Sequence, residues 1–161
     1  MDVDVFLRVL EYRDGWMVSE AVRVNQDRVD PNDIADQFTP SVTVDGSGRV
    51  HVVFHDDRRF HQVDGQSGAK LDVYYVVGRI QGPDQQFVVD AERRLYSLDP
   101  NDPNDPYALD LGFWIRGPGE YGGVAYDPFR DEVLTSYTGT DPNKPGDFKA
   151  VIYSNRITDL P

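Results

Sequence analysis

Apolar and polar residues alternate with a period of two through most of this chain, and the alternation breaks at clusters of Gly, Asp, Asn and Pro. That is the pattern of short strands joined by turns. The stretch from Gln37 to Ile80 carries it most fully: Ser41 to Asp45 (SVTVD) alternates, Gly46-Ser47-Gly48 turns, and Val50 to His55 (VHVVFH) returns as a strand. Leu71 to Ile80 (LDVYYVVGRI) follows a polar, glycine-bearing excursion, and Gln86 to Val89 is expected as a short outer strand. Four strands in simple succession over 37–90 form one antiparallel meander.

Upstream, Val3 to Leu10 (VDVFLRVL) is a nearly continuous apolar run, suited to a strand covered on both faces. Arg13-Asp14-Gly15 turns it into Trp16 to Val24, so the pair is expected as a hairpin with aromatic packing at its tip. A helix over Glu11 to Val22 is opposed by the Asp-Gly breaker at its centre. Downstream the pattern returns. Val124 to Asp127 matches Val42 to Asp45, Val133 to Tyr137 matches Val50 to Phe54, and Lys149 to Ile157 matches Asp72 to Ile80. Asp4 to Leu7 fits the register of Asp72 to Tyr75. Repeated strand triplets are the signature of a β-array, and four-stranded meanders in series are the blades of a β-propeller.

The expected fold is therefore all-β, a partial propeller of two to three blades in a single domain over 1–161. It divides into a blade part at 2–24, a full blade at 37–90, a long loop at 91–119 and a last blade part at 120–157. The loop carries DPNDPNDP over 99–106, where proline density forbids regular ladders. About nine strands are legible, enough for one blade and parts of two others, whereas a closed ring needs at least four blades. Such a chain is expected to be a piece of a longer propeller or to self-assemble as a homo-oligomer, because open sheet edges invite pairing.

Charge narrows the partners. The 161 residues carry a net charge of -12, against nucleic acid or an anionic membrane surface. Of 28 acids 23 are Asp, and of 16 bases 13 are Arg. Asp suits the many turns of an all-β chain, and an acidic, lysine-poor surface also suits high salt. Cysteine is absent, so there is no disulfide or thiolate site. No apolar run approaches the roughly 18 residues of a membrane span, and Met1 to Asp4 lacks the basic and apolar regions of a signal peptide.

Candidate chemistry is sparse. Asp27, Asp30, Asp33 and Asp36 in one polar loop, and Asp99, Asp102 and Asp105 in the long loop, could supply oxygens to a structural calcium ion, or could simply be solvated turns. His51 and His55 share a strand face about 13 Å apart, too far to ligate one metal. Asp56, Asp57, Arg58 and Arg59 form the densest charge cluster. The planar fork of Arg58 could hold a ligand carboxylate or staple a neighbouring Asp. Arg116, Glu120 and Tyr121 flank the glycines of GPGEYGG, where a backbone can approach a ligand closely.

Phe38-Thr39-Pro40, Asp45-Gly46, Phe54-His55-Asp56-Asp57-Arg58, Leu71 to Tyr75 and Gly119-Glu120-Tyr121-Gly122-Gly123 together resemble the sialidase-like propellers built from bacterial neuraminidase (Asp-box) repeats. The resemblance runs from about Asp4 to Ile157 and implies an extracellular or cell-surface carbohydrate-binding setting. It departs where activity would reside. The full Ser-x-Asp-x-Gly-x-Thr-Trp box and the Arg-Ile-Pro segment are absent. Glu120 and Tyr121 are adjacent, which in a strand points them to opposite faces. The expected function is a non-catalytic module for glycan or protein binding or self-assembly. The alternative is a sialidase-type glycoside hydrolase with its site completed by missing blades or a partner chain.

Overall fold

The computed structural model describes residues 3–12, 14–27, 35–58, 72–96, 122–140 and 150–157. It is all-β, with eleven strands and no helix among these residues. Four short strands, β1 (Phe6–Leu7), β2 (Leu10–Tyr12), β3 (Trp16–Val18) and β4 (Val22–Arg23), form one broken hairpin. β1 pairs with β4, and β2 with β3. The hairpin stays in register across its break because Ser19 N–H donates to Val9 O at 2.9 Å and Val9 N–H donates to Ser19 Oγ at 2.9 Å. Asp14 and Gly15, with φ of 51° and 147°, make its turn.

The centre is a four-stranded antiparallel meander of β5 (Gln37–Val44), β6 (Arg49–Asp56), β7 (Asp72–Gln81) and β8 (Gln86–Tyr96) in that spatial order. A three-stranded meander follows, with β10 (Glu132–Thr140) between β9 (Gly123–Asp127) and β11 (Ala150–Ile157). β8 runs well past the Val89 end expected from sequence, into 91–96. It does so by register shifts at Val77/Gly78 and Val73/Tyr74, bulges that absorb odd residues and let the ladder continue. Gly78 is required at the first of these, since a Cβ would collide with Val88 O and the Phe87 ring.

The two inner strands of the central meander, β6 and the first part of β7, are covered on both faces. Val50, Val52, Phe54, Tyr74, Val76 and Phe87 face the hairpin and pack with its Val5 and Val24. Val53, Val73, Tyr75 and Val77 face the other way and pack with Val133 and Ile157 of the third sheet. β6 and the first seven residues of β7 are therefore buried almost without interruption. Their polar positions are buried too, which strict alternation would not suggest.

One expectation fails. The Val3 to Leu10 run is covered on one face only, with Val5 buried while Phe6 and Leu10 are exposed. Leu10, Tyr12, Trp16 and Val18 are paired across β2 and β3, so they lie on one face of the hairpin. Each is more than half exposed, Trp16 by 70%. The Tyr12 and Trp16 rings do meet edge to face at 5.5 Å, as the hairpin reading expects.

Candidate functional site

Polar chemistry gathers at the end of the central sheet where β6 leaves and β7 enters. Asp56 turns the chain by accepting from Arg58 N–H at 2.7 Å on Oδ1. This short turn folds the Arg58 side chain back over its own strand. Its Nε and Nη2 donate to Asp56 Oδ2 at 2.8 and 2.6 Å, and its Nη1 donates to Glu92 Oε1 on β8 at 2.6 Å. The guanidinium lies 3.9 Å over the Tyr74 ring of β7. One residue thus ties three strands.

The electrostatics fit this geometry. Burial alone would push Arg58 down, but Asp56 and Glu92 hold it above its ordinary value. Burial draws the Asp56 carboxyl up, against the pull of Arg58. Burial likewise pushes the Tyr74 hydroxyl up to about 12. Asp56 and Asp72 are direct cross-strand partners, both with 0% exposure, an arrangement of like charges that costs energy unless cations stand beside it. Arg58 is that cation for Asp56, and Arg94 lies 3.9 Å from Asp72 Oδ2.

Beside the Arg58 clamp, buried Asn25 joins the hairpin to the sheet. Its Nδ2 lies 2.8, 2.6 and 2.9 Å from Asp4 Oδ1, Asp27 Oδ1 and Gln37 Oε1, which share its two protons, while its Oδ1 accepts from Val5 N–H at 3.0 Å. Gln37 Nε2 donates to Asp27 Oδ2 at 3.1 Å, and Asp36 Oδ1 accepts from Val3 N–H at 3.1 Å. Asp27 is therefore tied into the body of the fold, which corrects the solvated-loop reading for it, while the Asp36 carboxylate makes its bond at an exposed position. Asp30 and Asp33 lie outside the described residues.

At the opposite end of β6 the Asp45 carboxylate builds the β5–β6 turn. Its Oδ1 accepts from Ser47 N–H and Arg49 N–H, both at 2.9 Å, and its Oδ2 accepts from Arg49 Nε at 2.7 Å. His51 Nε2 faces the same Oδ2 at 3.2 Å, and His51 Nδ1 lies 2.6 Å from the Tyr75 hydroxyl. Nε2 lies outside hydrogen-bond geometry to that oxygen, and a proton on Nε2 would avoid setting a lone pair against the carboxylate and leave Nδ1 to accept from the Tyr75 hydroxyl. His55, four residues on, meets Thr39 Oγ1 at 2.6 Å and stacks on Phe38. Thr39 sits at the β5 bulge with φ of 51°, a strained angle for a β-branched residue.

These histidines set a pH response. Burial lowers both His51 and His55, in His51 against the pull of Asp45. The unfolded chain therefore takes up protons first, and the stability gained by keeping the rings neutral is full above about pH 6.5 and lost as pH falls below it. Burial alone would raise Asp45, but its bonds from Ser47 and Arg49 and the neighbouring His51 ring outweigh this and hold it well below its ordinary value. Its contribution is present above pH 3.8 and lost as pH falls below that. Thermal melts should show Tm falling between pH 7 and 5 and falling again below 4, with the first decline reduced in His51→Phe and His55→Phe variants. A flat Tm from pH 7 to 5 would refute the assignment.

Of the residues singled out from sequence, the structure places Arg58, with its donors engaged by Asp56 and Glu92. Arg116, Glu120 and Tyr121, and the calcium candidates Asp99, Asp102 and Asp105, lie outside the described residues. No group of three or more His, Asp or Glu among the described residues is arranged to hold a metal ion. Asn25, Gln37 and Glu92 were not singled out. Asn25 and Gln37 lie at strand ends beside Asp27 and Asp36, a signal that sequence offers, whereas Glu92 lies inside β8 and has none.

Two of the open surfaces are apolar. Besides the Leu10, Tyr12, Trp16 and Val18 face, a groove of about 390 Å³ runs between residues 5–9 of the hairpin and Pro40 to Val44 of β5. Val42 and Val44 on its floor are 57% and 53% exposed. The chain matches no protein-family model, no curated protein and no solved structure.

Proposed function

We propose that this chain is a non-catalytic, sialidase-like β-propeller module that works by binding and assembly, with a protein surface as its partner. The observation that carries the proposal is the exposed Leu10, Tyr12, Trp16 and Val18 face of the hairpin. Trp and Tyr are the residues that dominate protein interfaces, and a clustered apolar face is uncommon on a surface with no partner. Glu11, Met17 and Val18 border the β7–β8 turn, whereas Leu10, Tyr12 and Trp16 do not line that contact.

Residue parity supports the propeller part. Val50 and its repeat equivalent Val133 both pack against the layer that precedes them in the chain, as do Ile80 and Ile157. Val5 and its equivalent Val73 both pack against the layer that follows. The first strands of successive meanders are neighbours, with Val124 N–H donating to Ser41 Oγ at 3.2 Å. Successive blades of a propeller are related in this way.

Native mass spectrometry of the chain should show association with itself or with a captured partner. A Tyr12→Ser, Trp16→Ser variant should weaken that association by about 2 kcal/mol or more while the fold is retained, as interface anchors do. Binding confined to oligosaccharides on a glycan array, abolished by the same variant, would transfer the site to a carbohydrate ligand. Turnover of a fluorogenic sialoside would overturn the non-catalytic reading in favour of the hydrolase.

A further inference from the structure

The groove beside β1 has a shape that the chain's own repeat explains. β1 has β4 as its single strand neighbour among the described residues. Its odd residues are turned toward that neighbour. Val5 N–H donates to Asn25 Oδ1 and Val5 O accepts from Val24 N–H, and Val9 makes the equivalent pair with Ser19. In an antiparallel strand the alternate residues, here Phe6 and Arg8, direct their backbone N–H and C=O to the other edge. That edge borders the groove.

The equivalent place in the rest of the fold is filled. Asp4 to Leu7 repeats Asp72 to Tyr75 of β7, and β7 is paired on the corresponding edge by β6 and, beyond it, β5. Val124 and Tyr126 of β9 repeat Val42 and Val44 of β5. They pack against the apolar face of the central meander, which includes Val53 of β6, whereas Val42 and Val44 are open. Among the described residues, the layer before the central meander therefore provides the counterparts of the third and fourth strands of a blade, and no described strand pairs with the other edge of β1.

We infer that the groove is a strand-addition site for an antiparallel β-hairpin of a partner polypeptide with the chemistry of β5–β6. One strand of the partner pairs with the open edge of β1 at Phe6 and Arg8, and its β-branched face closes over Val42 and Val44. Main-chain hydrogen bonds supply the affinity of such a complex, and the alternate side chains supply its selectivity. A flat apolar edge left open would otherwise invite aggregation. The inference rests on the repeat equivalence that also underlies the propeller reading, at a site distinct from the aromatic hairpin face.

The test uses the whole chain and a labelled synthetic hairpin spanning residues 37–57, followed by fluorescence anisotropy. Saturable binding is expected, unaffected by Trp16→Ser, absent for a scrambled peptide, and weakened about tenfold or more by a Val42→Glu, Val44→Glu variant that places two charges on the groove floor. Both valines are exposed, so that variant should keep its circular dichroism and Tm. No binding by the folded chain, or binding indifferent to the two glutamates, would overturn strand addition. A concentration-dependent dimer lost in the glutamate variant would assign the groove to a second copy and overturn the partner hairpin. Failure here with Trp16-dependent association intact would leave the proposed function standing.

Discussion

Replacing Arg58 with alanine should destabilise the fold by about 3–5 kcal/mol, the cost of leaving a buried charge without its partner. Asp56 has 0% exposure, and Arg58 supplies three of the hydrogen bonds that compensate it, two from the guanidinium and one from its backbone N–H. The alanine variant keeps only the backbone bond, and it also releases Glu92 and uncovers the Tyr74 ring. In a domain of this size the loss corresponds to a fall in Tm of about 10 °C. Urea denaturation of Arg58→Ala and three further variants decides the matter. Arg58→Lys should lose less, because it retains a charge without the planar fork. Asp56→Asn added to Arg58→Ala should recover part of the loss by removing the stranded charge. Arg79 is half-exposed and paired with Asp90 at 3.1 Å, so Arg79→Ala should cost under about 1 kcal/mol, as surface pairs do. If Arg58→Ala costs no more than Arg79→Ala, the clamp does not hold the sheet.

Phe54→Ala should cost a comparable amount, about 3–5 kcal/mol, through loss of buried apolar surface and the cavity it leaves. Phe54 is fully buried, stacks on Tyr74 at 6.1 Å and 15°, and lies in the cluster that joins Val5 and Val24 of the hairpin to the central sheet. The damage should be directional. Amide exchange should quicken across 5–24, where the hairpin rests on that cluster, more than across β10, which packs on the opposite face of the sheet. Loss below about 1 kcal/mol, or uniform exchange, would mean that the hairpin is not held by this layer.

The two variants probe parts of the fold that the sequence exposes unequally. The strands themselves were legible: the alternation of Ser41 to Asp45 and the apolar run of Val50 to Phe54 mark β5 and β6, and Asp14-Gly15 and Asp45-Gly46 mark turns. The abundance of Asp also has a direct local reading. Asp45, Asp56 and Asp127 each accept a hydrogen bond from the backbone N–H two residues on, from Ser47, Arg58 and Phe129. Such contacts close within a few residues, so composition and spacing announce them.

The Arg58 clamp was legible only in part. Its Asp56 arm is local and follows from the Asp-Asp-Arg run, whereas its Glu92 arm spans 34 residues and depends on β8 continuing past Val89. That continuation needs the bulge at Val77/Gly78, and a bulge changes the face of every residue after it without leaving a mark in the hydrophobic pattern. His51 shows the same division. Its spacing from His55 excludes a shared metal, but its place between Asp45 and Tyr75 follows from the pairing of β6 with β7.

By itself the sequence determined the all-β class, the order of the meanders and the internal repeat, because strand and turn preferences act over a handful of neighbouring residues. Only the tertiary structure decided which faces are covered. Asn25, Asp56 and His51 are polar yet buried, and Val42, Val44 and Trp16 are apolar yet exposed. Burial depends on whether another sheet lies across a given face, and that sheet is built from residues distant in the chain, as Ser41 is from Val124.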